Sequence, residues 1–316
     1  MNSQPNTDDV SSASARSSDV ASDFRSGFVT FVGRPNSGKS TLVNTIIGQK
    51  VAITANVPQT TRHRFRAILD APDYQLVLVD TPGIHKPHDA LGEELNASAL
   101  KALEAVDAVA FLLDASKAFG SGDAWILSHL EKQRCPRLLV LSKCDLSDQK
   151  SIDRQIQQAT DAFPFDAVYC LSALTGQGVP EFVDALVKLL PEGPRWFPEG
   201  TTTDQDVEVL VAEFIREKVL HQTSDEVPHA VGVQVEAMSY DSRRDLYSIE
   251  ALIYVERESQ KGILIGKGGE RIKSVGSEAR IDLERLLNAH VYLDLRVKTR
   301  NKWRRDANQI RRFGYG

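Results

Sequence analysis

Short apolar runs recur through the first half of the chain: GFVTFVG from Gly27, YQLVLVD from Tyr74, DAVAFLLD from Asp107, RLLVLSK from Arg137 and DAVYCLS from Asp166. Each is nearly unbroken by polar positions, the pattern of a strand buried on both faces. Between them lie segments with helical spacing, including residues 39–48, LGEELNASALKALEAV and PEFVDALVKLL. Buried strands alternating with helices require a parallel sheet covered on both sides. Residues 27–190 are therefore predicted to form an α/β domain around a doubly wound, mostly parallel sheet. LPEGPRWFPEG, from Leu190 to Gly200, breaks that pattern with three prolines and two glycines. It marks a boundary, and residues 191–206 read as a linker. Beyond it come a helix (VEVLVAEFIREKVL), alternating strands (VGVQVEAM and YSIEALIYV), a glycine loop, a helix (SEARIDLERLLN), a strand (VYLDLRV) and a basic ending. The order α-β-β-α-α-β predicts a smaller α+β domain over residues 207–316. The first 26 residues are rich in Ser and Asp, poor in large apolar side chains, and predicted to be a disordered extension.

Composition adds limits. With 316 residues, 41% hydrophobic and 26% charged, the chain has the make-up of a globular protein of two domains. It has no apolar run near the roughly 18 residues that span a bilayer, and the N-terminus has no apolar core of a secretory signal. Three cysteines without CxxC spacing fit a reducing compartment, so a cytoplasmic location is expected. The net charge of −5 is unevenly spread: residues 207–316 carry 19 Lys and Arg against 17 Asp and Glu. That segment is net positive, the remainder net negative, and from Arg296 onward eight basic residues face only Asp306. An acidic front and a basic tail suggest a bipartite protein.

GRPNSGKS follows a strand and opens a helix, the setting a phosphate-binding loop needs. In the loop Gly33, Arg34, Pro35, Asn36, Ser37 and Gly38, the glycines are expected to let successive backbone N–H groups, which Pro35 alone lacks, turn toward phosphate oxygens. Lys39 adds a positive charge, Ser40 offers a hydroxyl to Mg²⁺, and Thr41 continues into the helix. This loop alone does not separate GTP from ATP.

Four further segments stand in the order of a GTPase, which the chain resembles. DTPG supplies Asp80 near the metal, then Thr81, Pro82 and Gly83, whose N–H reaches a γ-phosphate. QTTR, from Gln59 to Arg62, is similar to a switch loop, with Thr61 preferred over Thr60 as the second Mg²⁺ hydroxyl. The resemblance thus implies a metal set of Ser40, Thr61 and Asp80 and a catalytic set of Lys39, Thr61 and Gly83. SKCD resembles the guanine-reading motif: Asp145 would accept from guanine, the stem of Lys143 would stack on the base, and Ser142 and Cys144 flank them. Ser172, Ala173 and Leu174 resemble the loop that contacts guanine O6. Ser142 stands where Asn is usual and Leu174 where Lys is usual, which weakens side-chain support of the base. Ile84 occupies the position of the water-orienting glutamine of Ras-like switches, so slow intrinsic hydrolysis is expected.

IGKGGERIKSVG resembles the GxxG loop of a KH domain of the type II order. Gly266, Lys267, Gly268 and Gly269 form the loop, with Lys261, Arg271 and Lys273 as surrounding cations. Glycines let the backbone approach a sugar–phosphate chain. Ile265, Ile272 and Val275 are expected to form an apolar floor for bases. For the tail from Arg296, three readings stand: contact with RNA phosphates, contact with an anionic membrane, or a helix docked by Trp303 and Phe313.

A GTPase domain joined by a Pro/Gly linker to a type II KH domain, with the ending NKWRRDANQIRRFGY, identifies the chain as a member of the Era family. The family implies a monomeric GTPase using GTP/GDP and Mg²⁺. Its partners would be the 3′ end of 16S rRNA and the 30S subunit during assembly, with peripheral contact at the inner membrane. The rival readings are an RNA-binding scaffold with negligible turnover and a membrane-associated signalling GTPase. Resemblance to potassium-stimulated GTPases also implies that Asn36 helps hold K⁺ against the phosphates. Steady-state GTP hydrolysis is expected to be faster in K⁺ than in Na⁺ at equal ionic strength; equal rates would remove that role from Asn36.

Overall fold

The computed structural model describes residues 24–57, 60–84, 87 and 89–315. Its larger sheet comprises β1 (Arg25–Val32), β2 (Phe65–Asp70), β3 (Tyr74–Asp80), β4 (Ala108–Asp114), β5 (Arg137–Ser142) and β6 (Ala167–Cys170). The strand order is β2-β3-β1-β4-β5-β6, parallel throughout except for the antiparallel pair of β2 and β3. Helices α1 (Lys39–Ile47), α2 (Ala90–Lys101), α3 (Ser121–Leu130) and α4 (Gln149–Ala162) supply the connections between strands, and α5 (Val179–Leu189) follows the last strand. Leu42 and Val43 of α1 and Phe182 and Leu186 of α5 pack one face of the sheet. Ala99 of α2, Ile126 and Leu130 of α3 and Ile152 of α4 pack the other. Every residue of the central strand β4 is buried, which explains its unbroken apolar run. β1 lies between β3 and β4, so successive crossovers diverge there and open a crevice beyond its C-terminal end, where ligands of such sheets bind.

The ordered chain starts before residue 27, which corrects the expected 26-residue extension. Phe24 is buried beneath the Arg195 guanidinium, and Arg25 and Ser26 pair with Tyr74 and Gln75. The Ser/Asp-rich composition ends at Asp23, and the backbone pairing begins two residues later; residues 1–23 lie outside the described residues. The linker is an ordered strap on the sheet edge. Glu192 bridges Arg25, Thr203 bridges Ala67, and the buried Gln75 side chain donates to the Phe197 carbonyl and accepts from the Trp196 amide.

The second domain contains α6 (Val207–Gln222), α7 (Val227–Ala230), β7 (Gly232–Asp241), β8 (Leu246–Val255), α8 (Glu258–Ile265), α9 (Glu270–Leu287), β9 (His290–Thr299) and α10 (Ala307–Arg312). Apart from the one-turn α7, this is the expected α-β-β-α-α-β order before the tail. β8 pairs antiparallel with β7 and parallel with β9. Val211 and Ile215 of α6 meet Val275, Ala279 and Leu283 of α9 over Ile249, Ala251 and Ile253 of β8.

The tail is docked by its aromatics. Trp303 is fully buried and its indole N–H donates to the Ala230 carbonyl at 2.8 Å. With Phe313 and Tyr315 it packs against Leu252 and Tyr254 of β8 and against Leu91 and Leu95 of α2 in the first domain. Arg304 reaches Asp89 at 3.3 Å and Glu256 at 3.0 Å, one from each domain. Lys302, Arg305, Arg311 and Arg312 remain on the outer face. Trp303→Ala should remove about 3–5 kcal/mol of stability, the usual loss for a buried large aromatic. Urea unfolding followed by fluorescence and circular dichroism checks it; a loss below about 1 kcal/mol would mean that the tail detaches at little cost.

Candidate functional site

The cleft beyond β1 has a volume of about 370 Å³ and is lined by Pro35, Asn36, Gly38, Lys39, Ser40 and Thr41 of the glycine loop and α1. The loop works because Gly38 adopts a left-handed conformation (φ +92°) at the helix N-terminus, leaving the first amides of α1 unblocked. The Lys39 ammonium donates to the carbonyls of Gly33 at 3.1 Å and Arg34 at 3.0 Å. Burial, partly offset by the Asp80 charge, lowers its pKa to about 8. An anion in the loop would reverse that shift by favouring the charged form.

Beside it, Ser40, Thr61 and Asp80 converge. The Ser40 hydroxyl lies 2.8 Å from that of Thr61 and 3.1 Å from Asp80 Oδ2; Thr61 lies 3.4 Å from the same oxygen. Burial raises the Asp80 carboxyl to about 6 against the pull of Lys39. Its other oxygen, Oδ1, is buried with no hydrogen-bond partner among the described residues. Two hydroxyls, a desolvated carboxylate and an orphaned oxygen form a hard-oxygen set that fits Mg²⁺ with retained waters. Thr60 points elsewhere, donating to the Val57 carbonyl at 2.7 Å. Gln59 lies outside the described residues.

The rest of DTPG frames the cleft. Thr81 and Pro82 are buried, and the Thr81 hydroxyl donates to the Phe31 carbonyl at 3.2 Å. Gly83 lines the cleft, and a Cβ there would fall 2.8 Å from the Pro35 backbone, so only glycine fits. Ile84 is turned into the core. Arg34 swings outward to Asp123 at 3.2 Å, so only its backbone serves the loop.

At the other end, Lys143 holds a left-handed conformation (φ +58°), and its ammonium donates to the Asn36 carbonyl and to Asp114, each at 2.7 Å. The Ser142 hydroxyl donates to the Ser37 carbonyl at 2.6 Å, so this shorter residue still ties the motif to the phosphate loop. Asp145 is exposed at the open end, while Cys144 faces β6. Ser172 caps its own loop by accepting from the Thr175 amide at 3.2 Å, and the Ala173 carbonyl accepts from Thr45 of α1 at 2.8 Å. Leu174 is 82% exposed on the rim.

Residues 53–56 and His221 also line the cleft, and no sequence motif marks either. His221 ends α6 of the second domain and contacts the Thr54 carbonyl at 2.8 Å. No motif marks such a contribution; it arises because α6 packs along the switch loop. The Thr54 amide donates to Glu217 at 2.8 Å, and Lys50 bridges Glu217 and Asp282. The buried Arg62 donates to the Val231 carbonyl at 2.5 Å, while Arg216 of α6 donates to the Thr60 carbonyl.

In the second domain the residues of the glycine loop form a turn between α8 and α9. Gly266, Gly268 and Gly269 all have positive φ (+75°, +59° and +81°), and nothing lies within 4 Å of where a Cβ at Gly268 or Gly269 would be. The loop therefore presents open backbone at the N-terminus of an 18-residue helix, which favours an anion. Lys267 and Lys273 are exposed. Lys261 is held near Glu258 at 3.8 Å, and Arg271 braces the turn through the Ile263 carbonyl at 2.5 Å. A groove of about 350 Å³ runs beside it between α9 and β9. Ile272 lines this groove, but Val275 is fully buried on the opposite, core-facing side of α9, and Ile265 is not among the lining residues. This corrects the expected floor: helical spacing puts Val275, Ala279 and Leu283 inward. Gly276, Arg280, Tyr292, Leu293 and Leu295 complete the lining instead. Tyr292 is 62% exposed on β9, an exposure that its place in the sequence does not reveal.

Residues 28–143 match the family described as 50S ribosome-binding GTPase, and residues 226–304 match the KH domain. GTPase Era of Alkaliphilus oremlandii is 44% identical over 292 residues, covering 92% of this chain and 99% of that protein. A crystal structure of Era with MgGDPNP and nucleotides 1506–1542 of 16S ribosomal RNA superposes with a TM-score of 0.89 at 35% identity, covering 93% of this chain and 99% of that one. A structure of an Aquifex aeolicus Era variant bound to GDP and aluminium fluoride gives the same score and identity, covering 93% and 100%. Both domains are matched, and the similarity runs over nearly the whole length of each relative: the chain belongs to the Era family of GTPases.

Proposed function

We propose that the chain is a nucleotide-gated clamp for the 3′ end of 16S rRNA that acts in assembly of the small ribosomal subunit. The observation that carries this reading is one loop. Thr61 stands in the metal-fitting cluster, and the next residue, Arg62, is buried in the KH domain against the Val231 carbonyl. A change in how the loop meets the γ-phosphate thus reaches the RNA-binding domain through adjacent residues.

In this reading Lys39 and the amides of residues 33, 34 and 36–41 hold the phosphates, and Gly83 presents its N–H to the γ-phosphate. Ser40, Thr61 and Asp80 hold Mg²⁺, which supplies charge neutralisation on the phosphoryl oxygens. Asp145 accepts from the guanine donors, Lys143 covers the base, and residues 172–174 close the base end. Asn36 contributes to a K⁺ site. Ile84 lies in the core and cannot orient the attacking water, which accords with slow intrinsic turnover. Gly266, Lys267, Gly268 and Gly269 clamp the RNA backbone, with Lys261, Arg271 and Lys273 beside them. Bases rest in the groove between α9 and β9.

The protein works as a cytoplasmic monomer. No helix among the described residues is long and apolar enough to cross a membrane. The exposed outer cations of the docked tail leave peripheral contact with an anionic inner-membrane surface open to test by liposome sedimentation.

Affinity for a short RNA copied from the 3′ end of 16S rRNA, measured at fixed salt, is expected to be tighter with a non-hydrolysable GTP analogue than with GDP. Gly268→Asp combines a strained φ with a negative charge at the clamp, and is expected to abolish RNA binding while leaving GDP affinity unchanged. Undiminished RNA binding by that variant would move the clamp elsewhere. Asp145→Asn replaces an acceptor by a donor and should weaken GDP binding by about a hundredfold, the loss of charged hydrogen bonds. The same change should favour xanthine nucleotides, which offer a carbonyl there. Competition titration reads both, and an unchanged guanine preference would exclude Asp145 as the base partner.

A further inference from the structure

Cys144 sits inside the proposed guanine-reading turn, between Lys143 and Asp145, and Cys170 ends the neighbouring strand β6. In the pairing of β5 with β6, Leu141 stands opposite Cys170. The Leu141 carbonyl accepts the Leu171 amide at 2.9 Å, and the Cys144 sulfur lies 3.2 Å from that same oxygen. The Cys144 amide in turn donates to the Leu171 carbonyl at 3.2 Å. The two cysteines are thus laced through the same backbone atoms, which brings their thiols close enough to shift one another's titration. Both are free; Cys170 is exposed and Cys144 half-buried. Neighbouring strands lie about 4.8 Å apart, and Cys144 stands three residues beyond Leu141, the residue opposite Cys170.

Their chemistry is unequal. The neighbouring Cys144 thiol draws the Cys170 pKa down to about 7, while Cys170, and then burial, raises that of Cys144. The exposed sulfur therefore carries thiolate at neutral pH, the form that reacts with electrophiles, and the inner one keeps its proton. Cys135 differs: burial raises its thiol, and it lies just before β5, at the opposite end of the strand from Cys144.

We infer that Cys144 and Cys170 are an oxidation site for hydrogen peroxide, and that their disulfide weakens nucleotide binding at the guanine end of the cleft. The Cys170 sulfur attacks one peroxide oxygen: an S–O bond forms, the O–O bond breaks, and the departing hydroxide takes a proton to leave as water. The Cys144 sulfur then attacks the sulfenic Cys170 sulfur: the S–S bond forms, the S–O bond breaks, and a second water departs with the Cys144 proton. Two thiols lose two electrons, and one peroxide is reduced to two waters.

The consequence follows from where Cys144 sits. Its neighbour Lys143 is held in a left-handed conformation with its ammonium on Asn36 and Asp114, and Asp145 shares the following 3₁₀ turn. Drawing the Cys144 sulfur from the Leu141 carbonyl onto Cys170 twists that turn and displaces both base-contacting side chains. This consequence rests on the reading of Asp145 as the guanine partner, which the GDP-over-ADP preference of the reduced protein tests separately, before peroxide is added.

The test uses the full chain, freed of nucleotide and exposed to stoichiometric hydrogen peroxide. Remaining thiols are alkylated, peptides are mapped by mass spectrometry without reduction, and GDP affinity is titrated before oxidation, after it and after dithiothreitol. The expected result is a Cys144–Cys170 linked peptide pair with Cys135 alkylated. GDP affinity should fall by about tenfold, within the usual range of coupling between sites, and recover on reduction. Cys170→Ser should bind GDP like the reduced parent and lose the peroxide response. No linked pair, unchanged affinity in the linked protein, or an equal loss of affinity in Cys170→Ser would each overturn the proposal.

Discussion

A guanidinium buried without a carboxylate beside it sets the relation of the two domains. Arg62 is 2% exposed, and a guanidinium does not shed its proton to escape a dry site. Removing such a charge from water costs several kcal/mol unless fixed dipoles replace the hydration. The second domain supplies them: the carbonyls of Val231 and His229 and the faces of Trp303 and Tyr315 surround the side chain. Arg216, equally buried, is neutralised by Glu213 at 2.5 Å and donates to the Thr60 carbonyl. The backbone of residues 60–62 is therefore gripped from the second domain on both sides of Thr61. The switch loop, α6, the tail and the metal-fitting cluster are one mechanical unit because neither cation has water as an alternative.

The same economy of charge governs the phosphate loop. Lys39 and Asp80 are both buried, each pushed toward neutrality by desolvation and each partly rescued by the other. Carbonyls of the loop occupy the ammonium, and two hydroxyls occupy one oxygen of the carboxylate. A phosphate and a divalent cation complete this arrangement without rebuilding it, since each arrives where the opposite charge is already desolvated. Preorganisation of this kind makes nucleotide and metal binding mutually supportive.

Departures from the usual motifs read differently once folded. Ser142, expected to weaken the base site, retains the tie to the phosphate loop because the Ser37 carbonyl is close enough for a short side chain. Leu174 does lie on the rim without a polar group to offer. Ile84 is not a failed catalytic residue but a core residue, packed with Val32 and Phe111, so its replacement by a polar side chain would open a hole as well as add a hydroxyl or amide.

The sequence by itself determined the elements that depend on local periodicity and on fixed spacing. Unbroken apolar strands dictate a parallel sheet with two covered faces, and the strand–glycine loop–helix order places Lys39 and Ser40 because a phosphate-binding turn is local. The positive-φ glycines of residues 266–269 were legible for the same reason. Tertiary structure alone decided the rest. The 1–26 boundary shifted because Phe24 and Arg25 gain burial and pairing from residues over 40 positions away. Val275 faces away from the groove beside the glycine loop because α9 lays its 275–279–283 stripe against α6 and the sheet, and which stripe is covered is decided by that packing. The tail could not be assigned from its charge, since its basic residues suit RNA, membrane or solvent equally. Trp303, Phe313 and Tyr315 settled it by filling the gap between α2 and β8. Contributions of His221, Arg62 and Cys170 are likewise invisible in one dimension: each depends on two distant segments meeting, and hydrophobic burial, which brings them together, carries no record of which polar atoms it will leave facing each other.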